Sequence, residues 1–195
     1  MLKKTTLFVA VLTVFTLFSP IQASIWDGGH YDFTEGSEPE TNMYNGATAD
    51  ISGGWIGILC LYDTCSADIY DGSNVDLIRP YDSSSVDIFG GTIGMIYLWG
   101  NSSSNIYSGS LRDLDAINTS VVKIFSDTYN YNPNGGDFSS GLISGEWLDN
   151  SGSFSINLVN PGTYDHIIFV PEPLSFSFLL IGSFYLIRRE KIKYQ

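Results

Sequence analysis

Isoleucine recurs through the middle of the chain at positions 51, 69, 88, 106 and 124, at intervals of 18, 19, 18 and 18 residues. Each sits in a short alternating segment: Ala49-Asp50-Ile51-Ser52, Ala67-Asp68-Ile69-Tyr70, Val86-Asp87-Ile88-Phe89, Ser104-Asn105-Ile106-Tyr107 and Val122-Lys123-Ile124-Phe125. Alternation with period two predicts strands that turn one face inward. Three residues after the isoleucine stands a glycine in four copies, Gly54, Gly72, Gly91 and Gly109, where the backbone needs freedom to turn a corner. Apolar columns keep the same register at Ile56, Val75, Ile93 and Leu111, and at Leu59, Ile78, Ile96 and Leu114. A further column is Tyr62, Tyr81, Trp99 and Ile117, each followed by a turn former, Asp63, Asp82, Gly100 or Asn118.

Self-similarity at a fixed period indicates stacked repeats, in which each copy buries its apolar face against the next. A period this short is too small for a pair of helices and suits a coil of short strands. The fold class predicted is all-β: a single-stranded parallel β-solenoid, or β-helix, of about four 18–19-residue coils over residues 49–127. A β-sandwich is the competing fold, but it would not require one residue type at one register. The handedness stays open, because a strict six-residue subperiod is missing. Residues 24–48 read as an irregular N-terminal cap and residues 128–169 as a C-terminal β cap. Within the latter, Leu142–Leu148 and Ser153–Val159 flank the turn residues Asp149–Gly152 and predict a hairpin, followed by a last strand through His166–Val170.

The two ends follow a different pattern. Lys3 and Lys4, the apolar run Leu7–Phe18 and the exit Pro20–Ala23 predict a secretory signal peptide over residues 1–23. Residues 170–195 contain Val170-Pro171-Glu172-Pro173, the apolar stretch Leu174–Ile187 and a basic tail with Arg188, Arg189, Lys191 and Lys193. The apolar stretch predicts a C-terminal transmembrane helix, and the basic tail holds its end on the cytoplasmic side. These three parts, in order and spacing, resemble the PEP-CTERM sorting signal of bacterial exported proteins. The resemblance covers about the last 26 residues. It implies that exosortase, a membrane-embedded cysteine protease, processes the chain near Pro171, Glu172 and Pro173. It also implies delivery to the cell surface or to the exopolysaccharide matrix. More loosely, the glycine-rich repeats resemble β-solenoid members of the same group.

Charge narrows the partners. Of the 21 acids only Glu172 and Glu190 lie outside residues 24–170, leaving 19 against Arg79, Arg112 and Lys123. That middle therefore carries a formal charge of −16, compared with −12 for the whole chain. Such a surface repels nucleic acids and anionic membranes and suits a hydrated matrix.

Candidate chemistry is sparse. Asp50, Asp68 and Asp87 share one repeat position and would stack about 4.8 Å apart on the outer face. A bound Ca2+ would relieve their repulsion with oxygen ligands, whereas a solvated face screened by salt needs no ion. Asp63 and Asp82 form a second, shorter pair. Cys60 and Cys65 lie in an exported region, where a disulfide is chemically allowed and two buried free thiols are the alternative. His30 and His166 fall in opposite caps without metal-ligand spacing and read as ordinary polar residues. The column Tyr70, Phe89, Tyr107 and Phe125 offers faces for sugar rings unless the N-terminal segment covers it. No phosphate loop or nucleophile–base arrangement stands in a recognisable context.

The expected function is that of an exported, non-enzymatic protein of the bacterial cell surface or extracellular matrix. Its expected partners are the secretion machinery, exosortase, exopolysaccharide and, transiently through the C-terminal helix, the membrane. A carbohydrate-binding or carbohydrate-active β-helix is the alternative.

Overall fold

The computed structural model describes residues 23–171 of the 195-residue chain. They are all-β, with one sheet of 13 strands and a single 3-10 turn at Pro161–His166. Residues 1–22 of the segment read as a signal peptide, Glu172 and Pro173 of the sorting motif, the apolar stretch Leu174–Ile187 and Arg188 and Arg189 lie outside the described residues. Among the described residues no helix is long and apolar enough to cross a membrane.

The strands stack in parallel at the interval of the sequence repeat. On one wall β2 (His30–Phe33), β4 (Thr48–Ile51), β6 (Ser66–Ile69) and the start of β8 (Ser85–Leu98) follow one another. The starts of β9 (Ser103–Ala116) and β10 (Val121–Asn132) continue that wall. The second wall runs from β1 (Ser24–Asp27) through β3 (Ser37–Tyr44), β5 (Trp55–Leu61) and β7 (Asn74–Pro80) into the later parts of β8 and β9. Ladders of this kind give the body a solenoid-like form. Ile51, Ile69, Ile88 and Ile106 stand on consecutive rungs, each with no solvent exposure.

The N-terminal segment differs from the irregular cover expected of it. It forms in-register parallel strands of its own, with Asp32 opposite Asp50, Phe33 opposite Ile51 and Thr41 opposite Leu59. Phe33 fills the isoleucine place, and Gly36 follows three residues later with a φ of +101°. The segment therefore extends the stack at its end and does not fold over its side.

The other end breaks the repeat. β10 continues past Phe125 and pairs antiparallel with β11 (Leu142–Trp147), which makes a hairpin with β12 (Ser153–Leu158). β12 then rejoins the stack in parallel beside Asp113 and Leu114 of β9. The final strand β13 (Ile167–Val170) lies parallel to β10, with Phe169 opposite Ile124.

Corners repeat as faithfully as strands. Asn45, Asp63, Asp82, Gly100 and Asn118 all have φ between 55° and 75°. Asn45, Asp63, Asp82 and Asn118 are each the second residue of a turn closed by a backbone hydrogen bond, as from the Cys65 N–H to the Tyr62 carbonyl at 3.1 Å, and at Gly100 the Trp99 N–H donates instead to Ser102 Oγ at 3.1 Å. Asn and Asp tolerate this left-handed conformation better than other side chains, which explains the turn-former column.

Candidate functional site

Strand alternation sends the residue before each column isoleucine outward, so the acidic column becomes a surface ladder. Asp32, Asp50, Asp68 and Asp87 occupy successive rungs, and Asn105 takes the next. Asn105 Nδ2 donates to Asp87 Oδ1 at 2.7 Å, which ties off the lower end of the ladder. Burial, and then the carboxylates of Asp87 and Asp50, raise the Asp68 carboxyl above its ordinary range. The folded protein thus holds this proton more tightly than the unfolded chain does. The Asp68 contribution is most favourable below the unfolded value, about 3.9, and is lost as pH rises through the raised folded value. Asp68→Asn is therefore expected to raise stability at pH 7 by less than about 1 kcal/mol, with the gain vanishing below about pH 4. Urea midpoints across pH would check this; a variant less stable than the parent at pH 7 contradicts it.

The three carboxylates considered for Ca2+, Asp50, Asp68 and Asp87, stack pairwise on successive rungs. The one set of three metal-ligating side chains among the described residues whose donor atoms lie within 4.8 Å of one another is instead His30, Asp32 and Asp50. In the sequence His30 reads as an ordinary polar residue because its partners are separated along the chain. The fold brings Thr48 directly beneath it and Asp50 beneath Asp32. The signal that could have found it is the 18-residue interval from His30 to Thr48.

Cys60 and Cys65 are both free and both buried, and no disulfide joins them. Cys65 closes a corner turn inside the core, in the small-residue column that also holds Ala47 and Ser84. Cys60 alternates outward between the core residues Leu59 and Leu61, beside Tyr62 and Arg79. The two side chains thus leave the coil wall on opposite faces. Burial, the largest influence on it, raises the Cys60 thiol above its ordinary range, which keeps it in the unreactive form. A thiol-specific chromogenic reagent should therefore label neither cysteine in the folded protein and both after denaturation. Fast labelling under native conditions would be inconsistent with this burial.

Two aromatic stacks run along the outside. Tyr70, Phe89, Tyr107 and Phe125 stack with ring centroids 5.4, 4.7 and 4.1 Å apart in turn. The N-terminal segment does not cover them, because it is built into the end of the stack. The turn of the β11–β12 hairpin approaches this column, and a cleft of about 300 Å³ lies between Phe89, Gly109, Trp147 and Asp149. The second stack is Tyr44, Tyr62 and Tyr81, 4.8 and 5.0 Å apart with interplanar angles of 3°.

Beside that second stack lies a larger cleft of about 590 Å³, lined by Tyr62, Arg79, Tyr81, Asp82, Tyr97 and Trp99. Arg79 projects from β7 opposite Cys60 of β5. Its Nε is buried without a hydrogen-bond partner, and among the described residues it makes no ion pair. Trp99 is 44% exposed and meets Tyr97 edge-on with centroids 5.7 Å apart. Sequence reasoning misses this cleft, because Tyr62, Tyr81 and Trp99 stand out there only as a column. Arg79 and Tyr97 join them through the outward positions of β7 and β8.

Comparison with known proteins returns no match among family models, curated proteins or solved structures.

Proposed function

We propose that the chain is an exported, non-enzymatic β-solenoid protein of the bacterial cell surface or exopolysaccharide matrix, delivered by a PEP-CTERM/exosortase route. The observation that carries this reading is the position of Val170-Pro171-Glu172-Pro173. Val170 is the last residue of β13, so the sorting motif begins where the strand stack ends. Processing at the motif would release residues 24–170 as one intact stack, freed of Leu174–Ile187 and the basic tail with Arg188 and Arg189. An acidic surface of repeated Asp, Asn, Ser and Tyr suits a hydrated polymer matrix. The proposed helix would hold the chain in the membrane until exosortase acts on it.

Mass spectrometry of the mature protein from an exosortase-bearing host tests this route. The expected product begins at Ser24 and ends near Pro171. A variant with Pro171→Ala and Pro173→Ala should remain full length at its C-terminus and accumulate in the membrane fraction. Equal processing of the variant and the parent would overturn the sorting assignment.

The Arg79 cleft favours a second reading, carbohydrate binding at the same location. Exposed aromatic faces stack on the apolar faces of sugar rings, and an unpaired guanidinium offers donors to hydroxyl or carboxylate groups. A glycan array probed with the parent protein, Trp99→Ala and Arg79→Ala would decide it. Saturable binding lost in both variants supports this reading, and an empty array leaves the structural role alone.

A further inference from the structure

The first two rungs place four polar side chains at one point on the surface. His30 and Asp32 alternate outward from β2, and Thr48 and Asp50 alternate outward from β4 directly beneath them. His30 Nε2 lies 3.3 Å from Asp32 Oδ1 and 3.7 Å from Asp50 Oδ2. Ligands held 2.0–2.2 Å from a tetrahedral ion stand about 3.3–3.6 Å from each other. The spacing around His30 is thus already close to that of an occupied site.

The other side of the imidazole supports the same conclusion. His30 Nδ1 forms a hydrogen bond with Thr48 Oγ1 at 2.9 Å. That contact orients the ring and aims Nε2 at the carboxylates; because a threonine hydroxyl can donate or accept, it is compatible with the Nε2 lone pair that a metal-bound histidine uses. Both carboxylates approach Nε2, whose hydrogen bond with Asp32 Oδ1 at 3.3 Å the ion would replace. A set of one imidazole and two carboxylates suits Zn2+ and its first-row neighbours, whereas Ca2+ takes shells of oxygen alone. The lower rungs, Asp68 and Asp87, add negative potential that draws a cation without themselves joining the set. His30, Asp32 and Asp50 are 51, 71 and 45% exposed at their side chains, so an ion can enter and one coordination position stays open to solvent.

We propose that His30, Asp32 and Asp50 bind one divalent first-row transition-metal ion, with Zn2+ the type case, through Nε2 and one oxygen of each carboxylate. Thr48 is the positioning residue that holds the imidazole. The ion joins two rungs that are otherwise linked at this point by backbone hydrogen bonds and the His30–Thr48 contact. It therefore clamps the end of the stack where β2, among the described residues, has a neighbour on one side alone.

The test is a Zn2+ titration by calorimetry on the untagged full chain, repeated with Co2+ to read its visible absorption. One equivalent is expected, with the intense Co2+ bands of a four-coordinate N/O site. His30→Ala and Asp32→Asn should each weaken binding at least roughly tenfold, and Thr48→Val about tenfold with unchanged stoichiometry. Hydrogen exchange in β2 should slow when Zn2+ is added. Asp87→Asn, far along the same ladder, should leave the affinity unchanged. The proposal is overturned if His30→Ala binds as tightly as the parent. It is equally overturned if Asp87→Asn weakens binding as much as Asp32→Asn, the mark of a diffuse ion atmosphere.

Discussion

Ile88→Ala should lower stability by about 4 kcal/mol, near the upper end for deletion of a buried aliphatic side chain. Ile88 has no solvent exposure and stands between Ile69 and Ile106 on the adjacent rungs. Its neighbours above and below are held by parallel ladders, so they cannot settle into the vacated space without breaking register. Denaturant unfolding checks this through the midpoint and the slope together. In a stack coupled only through neighbouring rungs, a defect in the middle also weakens communication between the two halves. The slope should therefore fall as well, and a second transition should emerge. Ile69→Ala combined with Ile88→Ala should cost less than the sum of the two, because they open one shared cavity. A loss below about 1 kcal/mol for Ile88→Ala would mean that the column is not the core of the fold.

Gly109→Ala should be comparably harmful, by about 3–5 kcal/mol, for a different reason. Gly109 has a φ of +100°, and an added Cβ would lie 2.8 Å from the Gly90 carbonyl oxygen and 2.9 Å from its carbon. Both atoms are backbone of the preceding coil, so neither can rotate aside. Gly36 supplies an internal control. It occupies the same column with a φ of +101°, but an added Cβ there meets nothing within 4 Å. Gly36→Ala should therefore show the dihedral penalty alone, about 1–2 kcal/mol. The difference between the two variants isolates the contact between coils. Equal losses would show that the glycine column exists for its dihedral and not for close stacking.

The middle of the fold was legible because one interval governs both its chemistry and its geometry. Ile51 to Ile106 could be placed on successive rungs from spacing alone, and Asp50, Asp68 and Asp87 came with them. The first coil was harder to read. Phe33 replaces isoleucine there, and Glu35, Glu38, Pro39 and Glu40 disguise a segment that keeps the aspartate at Asp32 and the glycine at Gly36. A search for residue type misses such a copy, whereas a search for burial and turn geometry at the same interval finds it. The last coil was obscured differently. Ile124 keeps register, but Ser126 turns the strand out of the stack, accepting a new antiparallel partner and donating its hydroxyl to the Glu146 carbonyl at 2.8 Å. Nothing in the local sequence says which neighbour a strand will choose.

The candidate sites were less legible than the fold for the same reason. His30 and Asp50, or Tyr62, Arg79 and Trp99, meet only through pairings between rungs, and their types do not repeat. Asp113 and Asp115 illustrate the point. Both look like further members of an acidic surface, yet they are 5 and 3% exposed. Asn157 donates to Asp113, and Asn160 and Thr163 donate to Asp115, from the returning β12 and the 3-10 turn. The repeat predicts where such carboxylates stand, but not what the non-repeating end lays over them.

The direction of the ladder bonds has a mechanical consequence. Backbone hydrogen bonds in a parallel stack run along its long axis, so tension applied between the two ends loads them one rung at a time. Under such a pull the body behaves as a zipper, with β1 and β2 the first to open. Each coil released would give up 18 or 19 residues, or about 60 Å of slack at roughly 3.4 Å per extended residue. A stack held at one end and pulled at the other would thus yield in short, repeatable steps instead of failing at once.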